Sequence, residues 1–176
     1  MRTLTLLLVA VFITGCASTE KRKTGSHAGE HMTVRTTAYT QTEPGGSHNA
    51  CGGRLHFGGD TFSAASDWSW LPLGTRFKML CNGRTYVIED YGSALVGKQT
   101  IDLYVPDRHT MRAWGARNVE IEILEWGSSA MSMKLLAPRC KNHHVAVMVA
   151  QLRKQGVAGP SLAAAKVGGA GGGNNE

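Results

Sequence analysis

Alternation of apolar and polar residues is the dominant pattern in the middle of the chain. In two-residue alternation one face of a strand is buried and the other is solvated, and β-branched and aromatic residues favour such strands. Five segments predict strands on these grounds: 34–40, 75–80, 84–88, 100–105 and 119–124. Asn82-Gly83 lies between the second and third of them, and this dipeptide favours a tight hairpin turn.

Helical signals are fewer than strand signals. Pro106 begins a short helix that Gly115 ends, the order of residues that helix capping requires. Residues 143–154 place apolar side chains at helical spacing and predict an amphipathic helix. The segment 43–59 is rich in glycine and predicts a loop, and the Gly/Ala-rich residues 156–176 predict a disordered tail.

The N-terminus has the form of an export signal. Arg2 precedes an apolar run from Leu4 to Ile13, which is shorter than the roughly 20 residues that a membrane-spanning helix needs. The sequence Ile13-Thr14-Gly15-Cys16 resembles a bacterial lipobox, which predicts a signal peptide over 1–15 and a lipidated Cys16; the alternative is an ordinary secretory signal with an incidental cysteine. Polar residues 16–33 then form a flexible tether. Because Ala17 differs from the aspartate of an inner-membrane retention signal, we expect an outer-membrane lipoprotein that faces the periplasm.

The charge pattern limits the classes of partner. The net charge is +6, but the basic residues are scattered, and no dense basic block with interleaved aromatic residues favours nucleic-acid binding. A mildly basic balance suits an anionic cell wall or membrane surface, and it is equally common on solvated surfaces.

Three aspartates stand in distinctive contexts: Asp67 in SAASDWSWLPLGT, Asp90 in YVIEDYGSALVG and Asp102 in QTIDLYVP. With TTAY before them and RAWGARNVEIEIL after them, this order resembles the 3D domain, a family named for three aspartates. The family includes the C-terminal part of the membrane-bound lytic transglycosylase A proteins. The resemblance implies a mainly β fold over 34–127, a small six-stranded double-psi β-barrel with one short helix. The character of the sequence changes after Gly127, and residues 128–155 are expected to form a C-terminal extension that contains the helix.

Asp102 is the first candidate for catalysis. It lies within an apolar strand, where burial raises the pKa of a carboxyl group and favours the protonated acid that general acid catalysis needs. The resemblance implies the same role, since the matching aspartate of the family is the catalytic acid and base. The alternative is a strand-end aspartate that accepts hydrogen bonds from backbone amides.

Asp90 is the second candidate, at the end of a strand and the start of the loop that contains Tyr91 and Gly92, which are candidates for substrate binding. It could orient the substrate or, as a second carboxylate nearby, favour the protonated form of Asp102. The alternative is a turn-capping aspartate. The family pattern here is Asp-Thr-Gly-Gly, so Tyr91 and Ser93 depart from it and change the expected substrate contacts.

Four further residues are candidates for the substrate groove. Trp68 and Trp70 offer indole faces on which sugar rings stack, with core packing as the alternative. Tyr39, in TTAY, matches a strand that lines the family's groove, with a place in the barrel core as the alternative. For Asp67, beside Trp68, a structural role in holding its loop is the preferred interpretation, with substrate contact as the alternative.

Cysteine and metal chemistry complete the predictions. With Cys16 lipidated, Cys51 and Cys81 both lie inside the domain and are the preferred disulfide in an oxidising compartment, while Cys140 could compete for either. The aspartates do not have the spacing of a calcium loop and the histidines do not have that of a zinc site, so we expect neither a metal nor another cofactor.

The function that this pattern favours is lytic transglycosylase-like cleavage of peptidoglycan between N-acetylmuramic acid and N-acetylglucosamine. The alternative is a non-catalytic barrel that binds peptidoglycan or tethers the membrane to it. The expected partners are peptidoglycan strands and the membrane, through a lipid anchor. A solitary barrel would have a shallow groove, so other cell-wall enzymes are candidate partners.

Overall fold

The computed structural model describes residues 27–43 and 46–159. The predicted signal peptide, Cys16 and most of the tether and tail lie outside these residues. The strands are β1 His31–Tyr39, β2 Phe62–Ala65, β3 Arg76–Met79, β4 Thr85–Asp90, β5 Thr100–Tyr104 and β6 Arg117–Glu125. The helices are α1 Arg108–Trp114, α2 Ser129–Leu136 and α3 His143–Lys154, with short 3₁₀ turns at Ser93–Leu95 and Ala137–Arg139.

The six strands close into one barrel in the order β1-β5-β2-β4-β3-β6. Two neighbouring pairs, β1 with β5 and β2 with β4, run parallel, and the other four run antiparallel. Parallel neighbours cannot be joined by a hairpin, so the chain crosses the barrel between them. The predicted mainly β, six-stranded barrel is therefore confirmed.

Side-chain alternation fills the interior of this barrel. On β6, Val119, Ile121 and Ile123 are buried, and the residues between them face outward. On β3, Phe77 and Met79 are fully buried, and the antiparallel register sets them opposite Ile123 and Ile121 of β6. Burial of such side chains stabilises the fold by roughly 1.5–3 kcal/mol each.

Two boundaries differ from the sequence prediction. β1 begins at His31, within the segment expected to be tether, because residues 31–36 pair with β6. β2 lies in a stretch for which no strand was expected. Three of its four residues are buried, so it lacks the alternation that marks a half-exposed strand.

The C-terminal extension packs against the barrel as a helical pair. α3 has the predicted bounds, whereas α2 was not predicted; Ser128 caps it by accepting a hydrogen bond from the Met131 amide. Apolar residues of both helices join the barrel core: Met133, Leu136, Val145, Met148, Val149 and Leu152. At the two ends of the pair, Ser132 Oγ accepts from the Leu73 amide at 3.0 Å and Gln155 Nε2 donates to the Ser69 carbonyl at 2.8 Å. None of the helices in the described ranges is long and apolar enough to cross a membrane.

The expected Cys51–Cys81 disulfide is corrected by the structure, which holds Cys51, Cys81 and Cys140 as free thiols. Cys51 lies beside the Glu89 carbonyl at one end of β4, 3.9 Å from its Sγ, while Cys81 lies in the turn before the other end. At about 3.3 Å per residue, four residues of β4 alone separate these ends by about 13 Å. A disulfide needs Cα atoms within about 7 Å of each other.

Candidate functional site

Asp102 is the half-exposed residue of an otherwise buried strand, β5. Its neighbours Ile101 and Leu103 point into the barrel core, so alternation turns Asp102 to the opposite face. The parallel register sets it beside Thr37 of β1, whose Oγ1 donates a hydrogen bond to Asp102 Oδ1 at 2.6 Å. One carboxylate oxygen is thereby fixed in place.

The surroundings of Asp102 favour its protonated form. Burial is the largest influence and raises the pKa of the carboxyl group from 3.8 to about 6, and the charges of Glu43 and Asp90 act in the same direction. The Thr37 hydroxyl and the Arg35 charge oppose this rise. A carboxyl group with a pKa near 6 can both donate and accept a proton close to neutral pH.

Asp90 reaches the same region from the end of β4. The register pairs Ala65 of β2 with Asp102 on one side and Asp90 on the other, so the two aspartates flank the small Ala65 side chain. Strands lie about 4.8 Å apart, which sets their Cα atoms about 10 Å apart. Because Ala65 has only a methyl group, the space between the two carboxyl groups stays open.

Asp90 is held by two hydrogen bonds. Its Oδ2 accepts from the Tyr39 hydroxyl at 3.3 Å, and its Oδ1 accepts from the Tyr91 amide at 2.9 Å. Burial raises the pKa of Asp90, and these two hydrogen bonds oppose the rise. Burial first, and then the charge of Asp90, raises the pKa of the Tyr39 hydroxyl far above its ordinary value, so Tyr39 stays a proton donor.

These groups line one open cleft of about 390 Å³, called the aspartate cleft below. It is lined by Tyr39, Glu43, Ala65, Asp90, Tyr91, Gly92, Ser93, Ala94, Leu95, Asp102 and His144. Five of the predicted site residues meet here: Tyr39, Asp90, Tyr91, Gly92 and Asp102. Sequence reasoning did not include Thr37, Glu43 and His144 in the site. Thr37 contacts Asp102 directly, Glu43 and His144 join the lining of the cleft, and His144 comes from α3.

Asp67 lies outside the aspartate cleft and is 3% exposed. Its Oδ1 accepts from the Ser69 amide at 2.8 Å and from the Ser69 hydroxyl at 2.6 Å, and its Oδ2 accepts from the Gly97 amide at 2.7 Å. Asp67 therefore ties its own loop to the turn before β5. The geometry is that of the structural interpretation and corrects the substrate-contact alternative, because both oxygens already have protein partners.

The two neighbouring tryptophans have different positions. Trp68 has no exposed surface; its Nε1 donates to the Asp90 carbonyl at 2.8 Å and its ring meets Tyr91 edge-on at 5.0 Å. The expectation that Trp68 stacks on a sugar is corrected, since the indole supports the Asp90–Tyr91 backbone from within the core.

Trp70 is partly buried and lines another cleft, of about 460 Å³, between the barrel and α3. Besides Trp70, this cleft is lined by residues that include Lys98, Gln99, Trp126, Gln151 and Gln155. Neither Asp90 nor Asp102 lines it, although it is the larger of the two. Trp70 is therefore not part of the aspartate cleft, and its stacking on a sugar ring stays a prediction.

Tyr91 connects the aspartate cleft to the C-terminal extension. Its ring centroid lies 6.1 Å from that of His144, and its hydroxyl accepts a hydrogen bond from Arg139 Nη1 at 3.5 Å. Within the described ranges, no group of three or more His, Cys, Asp or Glu side chains is arranged to hold a metal ion. The Asp102 carboxyl group gives this cleft a means of proton transfer.

Comparison with known proteins agrees with this geometry. The model of the 3D domain family matches residues 62–125, from the first residue of β2 to the last residue of β6. The chain is also 34% identical, over 116 residues, to the "Putative cell wall shaping protein YabE" of Bacillus subtilis (strain 168). That alignment covers 65% of this chain and 28% of the relative, so the chain spans less than a third of that protein's length. Residues 62–125, which contain Asp67, Asp90 and Asp102, are thus similar to the 3D domain family.

Proposed function

We propose that this protein cleaves the glycan strands of peptidoglycan by a lytic transglycosylase reaction in which Asp102 is both acid and base. The observation that carries the proposal is the Asp102 carboxyl group, which has a pKa raised to about 6 and lies in an open cleft. The 3D domain and the cell wall shaping name of the relative support a role in the cell wall.

In the first step Asp102 acts as the acid. Its proton passes to the glycosidic oxygen between N-acetylmuramic acid and N-acetylglucosamine, and the bond from that oxygen to C1 of muramic acid breaks. The leaving sugar departs with a hydroxyl group, and positive charge develops on the muramic ring. The Asp102 carboxylate that remains, with Asp90 across Ala65, stabilises this charge.

In the second step the same carboxylate acts as the base. It takes the proton from the C6 hydroxyl of the muramic acid, whose oxygen bonds to C1 and closes an anhydro ring. Asp102 is protonated again, and neither water nor a cofactor is consumed. One carboxyl group therefore suffices, whereas hydrolysis by an ordinary glycosidase uses a pair.

Asp90 and Tyr39 have supporting roles in this scheme. Tyr39 donates to Asp90 and keeps its carboxylate oriented, and the negative charge of Asp90 raises the pKa of Asp102. Asp90 therefore helps to keep Asp102 protonated when the substrate arrives.

The proposal is tested by incubating the purified protein with sacculi and analysing the soluble muropeptides. Wild type should release anhydro-muropeptides, and Asp102→Asn should release about 10²–10⁴-fold less, because the amide cannot transfer the proton. Asp60→Asn, at an exposed loop position, is the matched control and should cleave like wild type.

Three outcomes separate the candidate functions. Anhydro products that depend on Asp102 support the enzyme. Sedimentation of the protein with sacculi and no products would support the alternative, a peptidoglycan-binding module. Equal product from wild type and Asp102→Asn, at equal folded concentration, would remove Asp102 from the reaction.

For location, we propose a lipid anchor at Cys16 that holds the protein at the outer membrane, facing the periplasm. The support is the Ile13-Thr14-Gly15-Cys16 sequence and the polar segment after it. Two or more acyl chains give stable anchoring where one does not. Labelled fatty acid should enter the wild-type protein and not Cys16→Ser; label in Cys16→Ser would contradict the anchor.

A further inference from the structure

The charges of the chain are divided between the barrel and the C-terminal extension. Residues 34–127 carry ten Asp and Glu and nine Lys and Arg side chains, close to balance. Residues 128–155 carry five Lys and Arg side chains and no Asp or Glu: Lys134, Arg139, Lys141, Arg153 and Lys154. The extension is thus a strongly basic unit packed against a nearly neutral one.

These cations are not neutralised by the barrel. Over residues 27–43 and 46–159, the ion pairs within 4.0 Å join only histidines to glutamates, His27 to Glu30 and His31 to Glu120. Arg139 has a neutral partner, the Tyr91 hydroxyl, to which its Nη1 donates. Its charge is therefore available to an external anion.

The extension reaches the aspartate cleft through two residues. His144 is part of the cleft lining, and Arg139 contacts the hydroxyl of Tyr91, another lining residue. The lining of the same cleft also includes Glu43, Asp90 and Asp102. Carboxyl groups of the barrel and His144 of the extension thus line one cleft, and the Arg139 guanidinium lies beside it.

The helix that carries His144 is fixed in place by packing. Val145, Met148, Val149 and Leu152 of α3 are buried, and α3 follows Arg139 and carries His144 at its start. Buried apolar packing of this kind fixes a helix in one position, so the two side chains are presented to the cleft without a folding step on binding.

From this arrangement we infer that the extension forms a binding subsite for the carboxylates of the peptide stem attached to muramic acid, with Arg139 and His144 as the contacting groups. The inference rests on the proposed function and deepens it. The glycan bond at Asp102 is uncharged, whereas the peptide stem on the adjacent sugar is anionic. The carboxyl groups of the cleft therefore suit the glycan bond, and Arg139 and His144 suit the stem. Arginine is suited to carboxylates because its planar guanidinium group donates two parallel hydrogen bonds.

The test compares two forms of one substrate. Untreated sacculi and sacculi whose stem carboxylates have been converted to methylamides, with methylamine and a carbodiimide, are each incubated with the full chain. Binding is measured by co-sedimentation and cleavage by release of anhydro products. The wild type should bind and cleave the untreated sacculi at least about tenfold better, the effect of one charge-assisted hydrogen bond.

Variants assign the preference to the two residues. Arg139→Gln and His144→Asn should each weaken binding to untreated sacculi and leave binding to amidated sacculi unchanged. Arg139→Lys keeps the charge and should retain part of the preference. Arg153→Gln is the matched control, since nine residues of helix place it about 13 Å along α3 from His144, and it should keep the full preference.

The outcomes also separate this inference from the proposed function. Asp102→Asn should lose cleavage and keep the binding preference. A preference that survives in the folded double variant Arg139→Gln, His144→Asn would overturn the subsite and leave the proposed function intact. A preference lost in that variant, with no anhydro product from wild type, would overturn the catalytic proposal alone. Equal loss of preference in Arg153→Gln would mean general attraction to anions and would overturn the subsite. Binding to anionic lipid vesicles that is lost in the double variant to the same extent as binding to sacculi would mean the same.

Discussion

At the residue scale, the proposed reaction depends on the carboxyl group of Asp102, whose ionised form is disfavoured by burial. Asp102 is partly buried beside Ile101 and Leu103, and two groups of β1, the Thr37 hydroxyl and the Arg35 charge, favour its negative form. The same burial that suits proton transfer makes the ionised form costly for folding. The proposed reaction and the stability of the protein therefore both depend on whether Asp102 is protonated.

This linkage predicts how stability depends on pH. The pKa of Asp102 is about 6 in the folded protein and 3.8 without the fold, so between these values the folded state keeps a proton that the unfolded state has lost. The contribution of Asp102 to stability should therefore fall as pH rises from about 4 to about 6, by up to about 3 kcal/mol, and stay level above that. Urea unfolding of wild type and Asp102→Asn across pH 4–8 measures it. A wild-type-minus-variant difference that is independent of pH would contradict the raised pKa.

The hydrogen bond from Thr37 lowers the pKa of Asp102, so its loss should raise that pKa. The Thr37 hydroxyl stabilises the carboxylate form of Asp102, so Thr37→Val should raise the pKa of Asp102 above about 6. The rate of anhydro-product release should then persist to higher pH than in wild type. Rate profiles between pH 5 and 8 measure the shift, and a profile that moves to lower pH would show that Thr37 acts in another way.

At the scale of secondary-structure elements, short connections hold the cleft together. Asp67 joins its loop after β2 to Gly97 before β5, and buried Trp68 donates to the Asp90 carbonyl at the end of β4. Hydrogen bonds of Asp67 and Trp68, which lie outside the aspartate cleft, thus connect the segments after β2, at the end of β4 and before β5. Asp67 and Trp68 thus support the surroundings of the aspartate cleft without lining it.

Asp67→Asn tests the tie between these elements. An amide offers one acceptor oxygen, so the NH₂ group would face either the Ser69 or the Gly97 amide, each of which is itself a donor. We expect a loss of about 1–3 kcal/mol in the free energy of unfolding, the cost of a buried polar group left without a partner. Chemical denaturation measures it, with exposed Asp60→Asn as the control. A variant as stable as wild type would show that the loop does not depend on Asp67.

At the scale of the whole molecule, the barrel and the extension form one packed body with a tight joint. Gly127 follows β6 and precedes α2; its amide donates to Thr75 Oγ1 at 3.0 Å, and the next amide, of Ser128, donates to the Leu73 carbonyl at 2.9 Å. The position of the extension, and with it the approach of His144 to the aspartate cleft, depends on this close passage of two backbone segments.

Gly127→Ala should disturb both stability and the cleft. An added Cβ would lie 2.3 Å from the Leu73 carbonyl oxygen and 2.5 Å from that of Pro72, both backbone atoms that cannot move aside alone. We expect destabilisation of about 1–3 kcal/mol, with weaker docking of the extension. Thermal unfolding measures the first effect, and amide hydrogen exchange in α2 and α3 measures the second. Gly159→Ala, where an added Cβ meets nothing within 4 Å, is the control and should behave like wild type.

The sequence by itself determined the elements whose pattern is local. Alternation revealed β3, β4 and β6, and the hairpin turn falls at Gly83, whose φ of +68° favours glycine. Capping residues bounded α1, and apolar spacing gave α3 its ends. Asp102 was identifiable as a candidate because a single acidic residue among apolar neighbours in a strand is unusual whatever the strand packs against.

Only the tertiary structure decided which of these residues meet. Trp68 and Trp70 have equivalent signals in sequence, yet one is sealed in the core and the other lines a different cleft. Cys51 and Cys81 lie in one domain but at opposite ends of β4. His144 carries no local signal and joins the lining of the aspartate cleft only because α3 packs on the barrel. Periodicity reports which face of an element is buried, whereas the partner of that face depends on strand order and on packing between segments far apart in the chain.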